Sequence, residues 1–204
     1  MVYGNETLSD EDRAQLAWLH GTSLSTAMFS RLGLSVLKSY YRFVETSDRE
    51  MLFVFREQGA VTAAAVLTWE GGSTLRRFVY RHPVVFSLRV AISVLTDGSF
   101  RGQLLAYLGE VFSRKQTVET FPEVLQVFAE PLQRGRGLGA KLMRLAESYV
   151  AQRGQDTIIV RTLAHGNEPA LRFYQRLGYD PFRRAVFCGE EYVCFRKATV
   201  DQSV

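Results

Sequence analysis

Gln133-Arg134-Gly135-Arg136-Gly137-Leu138-Gly139-Ala140-Lys141 is the stretch on which the fold turns. Before it, the short apolar run from Val124 to Ala129 predicts a strand. After it, Leu138, Leu142, Leu145 and Tyr149 recur at i, i+4, i+7 and i+11, the spacing of one helix face, and Gly154 can end that helix. Three glycines at such a junction let the backbone approach a ligand closely. The first amides of the helix point outward unpaired, with the positive end of the helix dipole behind them. A helix start ordinarily favours carboxylates, yet Arg134, Arg136, Lys141 and Arg144 gather four cations here and no acid follows until Glu147. Bare, these charges oppose the dipole, whereas a bound polyphosphate reverses the sign of the interaction. The bland alternative is a glycine-rich turn carrying solvated arginines.

Two other phosphate loops are close in form. Gly135-x-Gly137-x-x-Ala140 fits a loose dinucleotide-binding fingerprint, but only about 65 residues follow it, too few for the usual strand count of that fold. The acidic residue at the expected spacing, Asp156, precedes a strand rather than ending one. A Walker A loop fails because no Gly-Lys-Ser/Thr closes the run.

Downstream, Thr157 to Leu163 predicts a buried strand. Asn167 then starts a helix with Pro169 near its beginning, an apolar stripe of Ala170, Phe173, Tyr174 and Leu177, and Gly178 at its end. Two strands, Tyr179 to Phe187 and Tyr192 to Arg196, close the chain around Gly189. Upstream, Ser9 or Asp10 begins a helix to about His20, and a second covers Leu34 to Val44. Met51 to Arg56 and Ala60 to Trp69 are strands joined around Gln58-Gly59. From Ser73 to Thr120 the pattern turns helical: Pro83 leads Val84, Leu88, Ala91, Ile92 and Leu95, and another helix runs from Gly102 to Arg114. The order predicts an α/β protein with one mixed sheet and a helical insertion over 73–120.

With 204 residues, 47% hydrophobic and 23% charged, the chain can bury a sizeable core, which excludes disorder as the main state. Arginine outnumbers lysine 21 to 4 within a net charge of +4, a preference suited to phosphate. The cations are scattered rather than massed, so no nucleic-acid surface is indicated. Cys188 and Cys194 form no Cys-x-x-Cys, and His20, His82 and His165 are far apart, so no metal site is expected. No basic flank and apolar run marks the N-terminus. The most apolar stretches, Ala60 to Trp69 and Val84 to Leu95, are too short for a membrane span, and a cytoplasmic protein is expected.

Arg134-x-x-Gly137-x-Gly139, with Pro131 three residues ahead, resembles the pyrophosphate-binding motif of the GNAT superfamily, the acetyl-coenzyme-A-dependent N-acetyltransferases. Asn167-x-x-Ala170-x-x-Phe173-Tyr174-x-x-x-Gly178-Tyr179 is similar to that family's second motif. The resemblance covers residues 124–187. It implies a single N-acetyltransferase domain over 1–204, with a GNAT-like mixed central sheet flanked by helices and a cofactor-binding core at 124–187. It implies acetyl-CoA as acyl donor and no metal. The pyrophosphate would lie on Arg134, Gly135, Arg136, Gly137, Leu138, Gly139 and Ala140, and the pantetheine arm along Val127, Phe128 and Ala129. Asn167 would touch the cofactor or cap its helix, and Tyr174 would be the general acid, unless it is a core aromatic of its stripe. Glu123 stands where some relatives carry a catalytic glutamate; an ordinary strand carboxylate is the alternative, and Glu130 a rival base. The acceptor implied is a primary amine of a small molecule, amino sugars and nucleotide-linked amino sugars included. A protein N-terminal or lysine acetyltransferase, or a non-catalytic acyl-CoA-binding module, are the competing functions. The insertion is expected to wall the acceptor site, with Arg76, Arg77, Arg81, Arg89 and Arg101 facing an anionic acceptor. A homodimer is compatible with all of this.

Overall fold

The computed structural model describes residues 2–3, 8–25, 27–96, 98–111, 121–187 and 189–199. Strands β1 (Val2–Tyr3), β2 (Glu50–Glu57), β3 (Ala60–Thr68), β4 (Glu123–Ala129), β5 (Thr157–Leu163), β6 (Asp180–Phe187) and β7 (Glu190–Ala198) form one sheet in the order β1-β2-β3-β4-β5-β7-β6. Every neighbouring pair is antiparallel except β4 and β5, which run parallel.

Helices α1 (Asp10–Ser23), α2 (Met28–Arg31), α3 (Leu34–Thr46), α4 (Thr74–Arg81), α5 (Pro83–Thr96) and α6 (Gly98–Val111) build the core on one face of the sheet. Helices α7 (Leu138–Gln152) and α8 (Glu168–Arg176) cover the other. β3 lies between the two layers and is buried from Val61 to Thr68. Its small side chains alternate: Ala64 faces the α1–α6 core, while Ala63 and Ala65 join Leu142, Met143 and Ala146 of α7. With so little side chain between backbone and helix, α7 packs close to the strand beside the cofactor turn.

Ser9 caps α1 through a reciprocal box. Its hydroxyl accepts from the Asp12 N–H at 3.0 Å, and the Asp12 carboxylate accepts from the Ser9 N–H at 2.9 Å. Among its described residues the insertion holds three helices, where the sequence predicts two. The short α4 buries Phe78 and Val79, and Pro83, which lacks the N–H to continue it, begins α5 instead. α6 starts at Gly98, four residues before the predicted start, and the predicted end of that helix at Arg114 lies outside the described residues, as does Cys188. Cys194 is buried and unpaired among the described residues.

Candidate functional site

The parallel pair β4–β5 is joined at its root only. Glu123 pairs with Ile159 and Val124 with Val160, and the Ile159 N–H donates to the Pro122 carbonyl at 2.9 Å; beyond them the strands are unpaired with each other. A bulge causes the parting. The β3 register steps from Gln126 opposite Val66 to Val124 opposite Leu67, so Leu125 is the extra residue. Consequently Leu125 and Gln126 both turn to the α1–α6 side, where the Gln126 amide donates to the Tyr40 hydroxyl at 2.7 Å, before Val127 returns to the α7 side.

Beyond the bulge β4 keeps β3 as its neighbour, and the Glu130 N–H donates to Thr62 at 2.8 Å. Counting back through the antiparallel alternation, Phe128 and Gln126 spend their main-chain groups on β3, whereas those of Val127 and Ala129 face the gap left by β5. The Ala129 carbonyl accepts from the Ser23 hydroxyl of α1 at 3.3 Å. The open groups are therefore the N–H and C=O of Val127 and the N–H of Ala129. Phe128 is a correction to the expected pantetheine set: its backbone is used by β3, and its ring, 5% exposed, packs 5.6 Å from that of His20.

The turn into α7 sits at the end of this gap. Gly135 and Gly137 adopt φ of +82° and +77°, and a Cβ at either would meet nothing within 4 Å, so the space beside them is open. Gly139 differs: a Cβ there would lie 3.3 Å from the Phe173 ring and 4.0 Å from Val127, so its role is close packing of α7 against α8 and β4. The Arg134 and Arg136 amides close the turn on Pro131 and Gln133, and Lys141 donates to Gly137. The amides of Gly135, Gly137, Leu138, Gly139 and Ala140 have no backbone acceptor among the described residues, no side chain caps the helix and its first turn carries no acid. Arg134, Lys141 and Arg144 are exposed and without a carboxylate partner among the described residues. Arg136 is not free, pairing with Glu57 at the end of β2 at 3.1 Å. Five open amides, two glycines with clear space beside them and three uncompensated cations fit a pyrophosphate.

Tyr174 projects from α8 into the α7-side core, 7% exposed, its ring 6.0 Å from Tyr179 and 5.9 Å from Phe195. Burial pushes its phenol above the ordinary tyrosine range, so it holds its proton at neutral pH. Its hydroxyl has no hydrogen-bond partner among the described residues. Asn167 stands at the head of α8, but its side chain does not cap the helix; the amide donates to Thr162 of β5 at 2.7 Å and ties α8 to the strand.

Glu123 is 2% exposed, and both its oxygens accept from Arg161 of β5, at 2.6 and 2.8 Å. Gly71 covers it so closely that a Cβ there would fall 1.9 Å from the carboxylate. Glu123 is therefore one half of a buried charge pair at the root of the gap. Arg161 escapes a reading of the sequence because its partner lies 38 residues away. The available signal is a lone charge in Thr157–Leu163, a strand otherwise apolar apart from threonines. Glu130, at the end of β4, is partly exposed and makes no ion pair among the described residues. Among the described residues no three His, Cys, Asp or Glu side chains gather as a metal site. A groove of about 620 Å³ between α8 and the β6–β7 pair, lined by Leu171, Arg172, Phe182 and Arg183, includes none of the turn residues.

A model of the GNAT acetyltransferase family matches residues 23–179, and the chain belongs to that family of acyl-transferring enzymes. Over 58 residues it is 36% identical to an uncharacterized N-acetyltransferase of Methanocaldococcus jannaschii. That stretch is 28% of this chain and 25% of the relative, so the chain matches about a quarter of that protein's length. Among solved structures, an aminoglycoside 6'-N-acetyltransferase complexed with coenzyme A shares the fold with TM-score 0.59 at 13% identity, each chain covered in full. The ribosomal-protein alanine N-acetyltransferase from Escherichia coli does so with TM-score 0.56 at 12% identity, over 98% of this chain and 96% of that one.

Proposed function

We propose that this chain binds acetyl-CoA in the gap between β4 and β5 and transfers its acetyl group to a primary amine of a small molecule. The observation that carries the reading is the continuity of open backbone groups, from Val127 and Ala129 on the strand to the Gly135–Ala140 amides on the turn. These supply an extended arm and then a pyrophosphate with donors that no other described residue uses. Acetyl-CoA, when bound, supplies the acetyl group activated as a thioester. Val127 and Ala129 hold the arm, the turn amides with Arg134, Lys141 and Arg144 hold the phosphates, and Tyr174 keeps a proton at its hydroxyl for the departing thiolate. Glu123 acts as a fixed charge neutralised by Arg161, a positioning pair at the root of the gap. Direct attack by the neutral amine forms the C–N bond as the C–S bond breaks; Tyr174 gives its proton to the departing thiolate, and the proton shed by the new amide nitrogen leaves through solvent, from which Tyr174 is reprotonated. The small-molecule acceptor is supported by the helical insertion, which packs on α2 and α3 through Phe78 and Phe29 and would wall that side, and by the shared fold of an aminoglycoside acetyltransferase.

The test is coenzyme A release by the purified chain across a panel of amines, with acetyl-CoA affinity measured by calorimetry. Gly137→Asp should weaken binding by about 100-fold or more; aspartate tolerates the left-handed backbone, so the added negative charge carries the effect. Tyr174→Phe should leave affinity nearly intact and lower turnover about 10²- to 10⁴-fold where chemistry limits the rate. Tight binding without turnover on any amine would make the protein an acyl-CoA-binding module instead.

A further inference from the structure

Helix α5 has two apolar faces, and the fold uses one. Val85, Phe86, Val90 and Val94 pack into the core beneath it. Val84, Leu88, Ile92 and Leu95 recur at i, i+4, i+8 and i+11 on the opposite side, exposed by 77%, 59%, 40% and 84%. One exposed leucine needs no account, but an unbroken stripe about 17 Å long does. On α6, Leu105 is 56% exposed and Arg101, one turn before it, is also exposed.

The charges within the α4–α5 segment have one sign, with Asp97, two residues past Leu95, and Asp48, which shares a groove with Arg81, as the acids at its borders. From Gly71 to Thr96 the chain carries four arginines and no aspartate or glutamate. Two of them turn inward, Arg77 to Glu50 and Glu70 and Arg89 to Ser35 at 2.8 Å. The other two, Arg76 and Arg81, are exposed, Arg81 three residues ahead of Val84 and Arg76 one turn before the exposed ring of Tyr80.

We propose that this face docks on an anionic membrane surface, with α5 in the plane of the interface, its stripe at the acyl boundary and Arg76, Arg81 and Arg101 among the lipid phosphates. Apolar side chains flanked by arginine and an aromatic ring form the pattern that such an interface accommodates. Charge decides the occupant. A second copy meeting the same face across a two-fold axis would bring Arg76 and Arg81 towards their own duplicates, with no acid from 71–96 to pair them. Nor does the segment cross a bilayer. No single helix among the described residues is long and apolar enough, α5 spans about 21 Å, and the α4–α5 pair bends by 95° with Phe78, Val79 and Phe86 fixed in the core.

Flotation of the full chain with phosphatidylcholine vesicles, with and without phosphatidylglycerol, tests this independently of acetyl transfer. Binding is expected to the phosphatidylglycerol vesicles and to weaken with added salt. Leu88→Ser/Leu95→Ser and Arg76→Ala/Arg81→Ala should each weaken partition about tenfold or more, with urea midpoints near wild type as evidence that both variants fold. No binding by wild type, or equal binding by the Leu88→Ser/Leu95→Ser variant, overturns the proposal. So does a dimer in sedimentation velocity that this variant dissolves while vesicles stay unbound, an outcome that assigns the stripe to a second copy.

Discussion

On the face covered by α7 and α8, Arg134, Lys141 and Arg144 stand exposed beside five open amides. On the face covered by α1 to α6, exposed arginines such as Arg76 and Arg81 are joined by charges that run inward. Glu50, whose side chain is fully buried, accepts from Thr68 at 2.9 Å and from Thr74 at 3.0 Å, and is paired with Arg77, which also reaches Glu70 at 2.9 Å. Glu123 and Arg161 form a second such pair, and His20, 2% exposed, lies among Tyr40, Tyr41 and Phe128. Arginines thus do different work in the two regions: Arg134 and Arg144 have no carboxylate partner among the described residues, whereas Arg77 and Arg161 neutralise buried carboxylates and hold the fold.

Exchanging one arginine from each face gives the largest contrast. Arg77→Ala leaves the Glu50 carboxylate buried without its countercharge and should cost about 3–5 kcal/mol of stability in urea unfolding. Arg134→Ala should leave stability within about 0.5 kcal/mol of wild type and weaken acetyl-CoA binding roughly tenfold. Equal stability losses at the two sites would erase the distinction between the faces. Arg77 therefore cannot serve in an acceptor-binding group with Arg76 and Arg81, as the sequence suggested; only the latter two keep exposed guanidinium groups.

Glu123→Gln comes next. It keeps the shape and removes the charge opposite Arg161, and a loss of about 2 kcal/mol is expected because Arg161 is itself partly exposed. A positioning role predicts that activity falls by the same factor at every pH. A catalytic base predicts loss of the acidic limb of the pH–rate profile, and that result would return Glu123 to the chemistry.

What the sequence discloses follows the same division. The α7 side was legible because its signals are local: glycines and cations at a strand–helix junction, Pro169 opening α8, a helical stripe ending at Gly178. Strands β2 to β7 also fall within two residues of their predicted ends, β7 by two at each end, whereas β1 has no counterpart in the sequence reading. The bulge at Leu125 was not legible, since Glu-Val-Leu-Gln-Val-Phe-Ala reads as an ordinary strand and only its register against β3 exposes the extra residue. Without the bulge, nothing distinguishes the main chain of Phe128 from that of Val127 and Ala129. The buried pairs stayed hidden for a related reason, because Glu50 and Arg77 are 27 residues apart and Glu123 and Arg161 are 38 apart.

The buried polar face also predicts a pH dependence. Burial holds His20 down to about 4, from an ordinary value near 6.5. The unfolded chain thus binds its proton first, and the stability contributed by neutral His20 is present above about 6.5 and lost as pH falls towards 4. Between pH 7.5 and 5.5 the loss should be about 1 kcal/mol. His82 shifts the same way, through burial and the nearby Arg42 and Arg81, so His20→Gln should remove part of the slope rather than all of it. Asp12, held down to about 2 chiefly by its hydrogen bond from Arg56, loses its own contribution only below about 4, outside this window. Identical slopes for wild type and His20→Gln would show that His20 titrates normally in the folded protein.

The smallest effect belongs to Gly139 on the open face, where the sign depends on one neighbour. Its backbone has ordinary helical geometry, so alanine meets no conformational strain and gains up to about 1 kcal/mol of helix propensity. Against this, the new Cβ would stand 3.3 Å from the Phe173 ring, which must move by a few tenths of an ångström. Phe173 is only partly buried and already packs on Tyr174, with ring centroids 5.2 Å apart. The two terms nearly cancel, and Gly139→Ala should change stability by less than about 1 kcal/mol. Any displacement passes through Phe173 to Tyr174, so turnover should fall a few-fold while acetyl-CoA affinity holds. Phe173→Leu in the same chain gives the Cβ its room and should restore turnover relative to Phe173→Leu alone. If the double variant instead shows the sum of the two single losses, Gly139 and Phe173 are not coupled, and the glycine is required by the ligand rather than by the packing of α7 on α8.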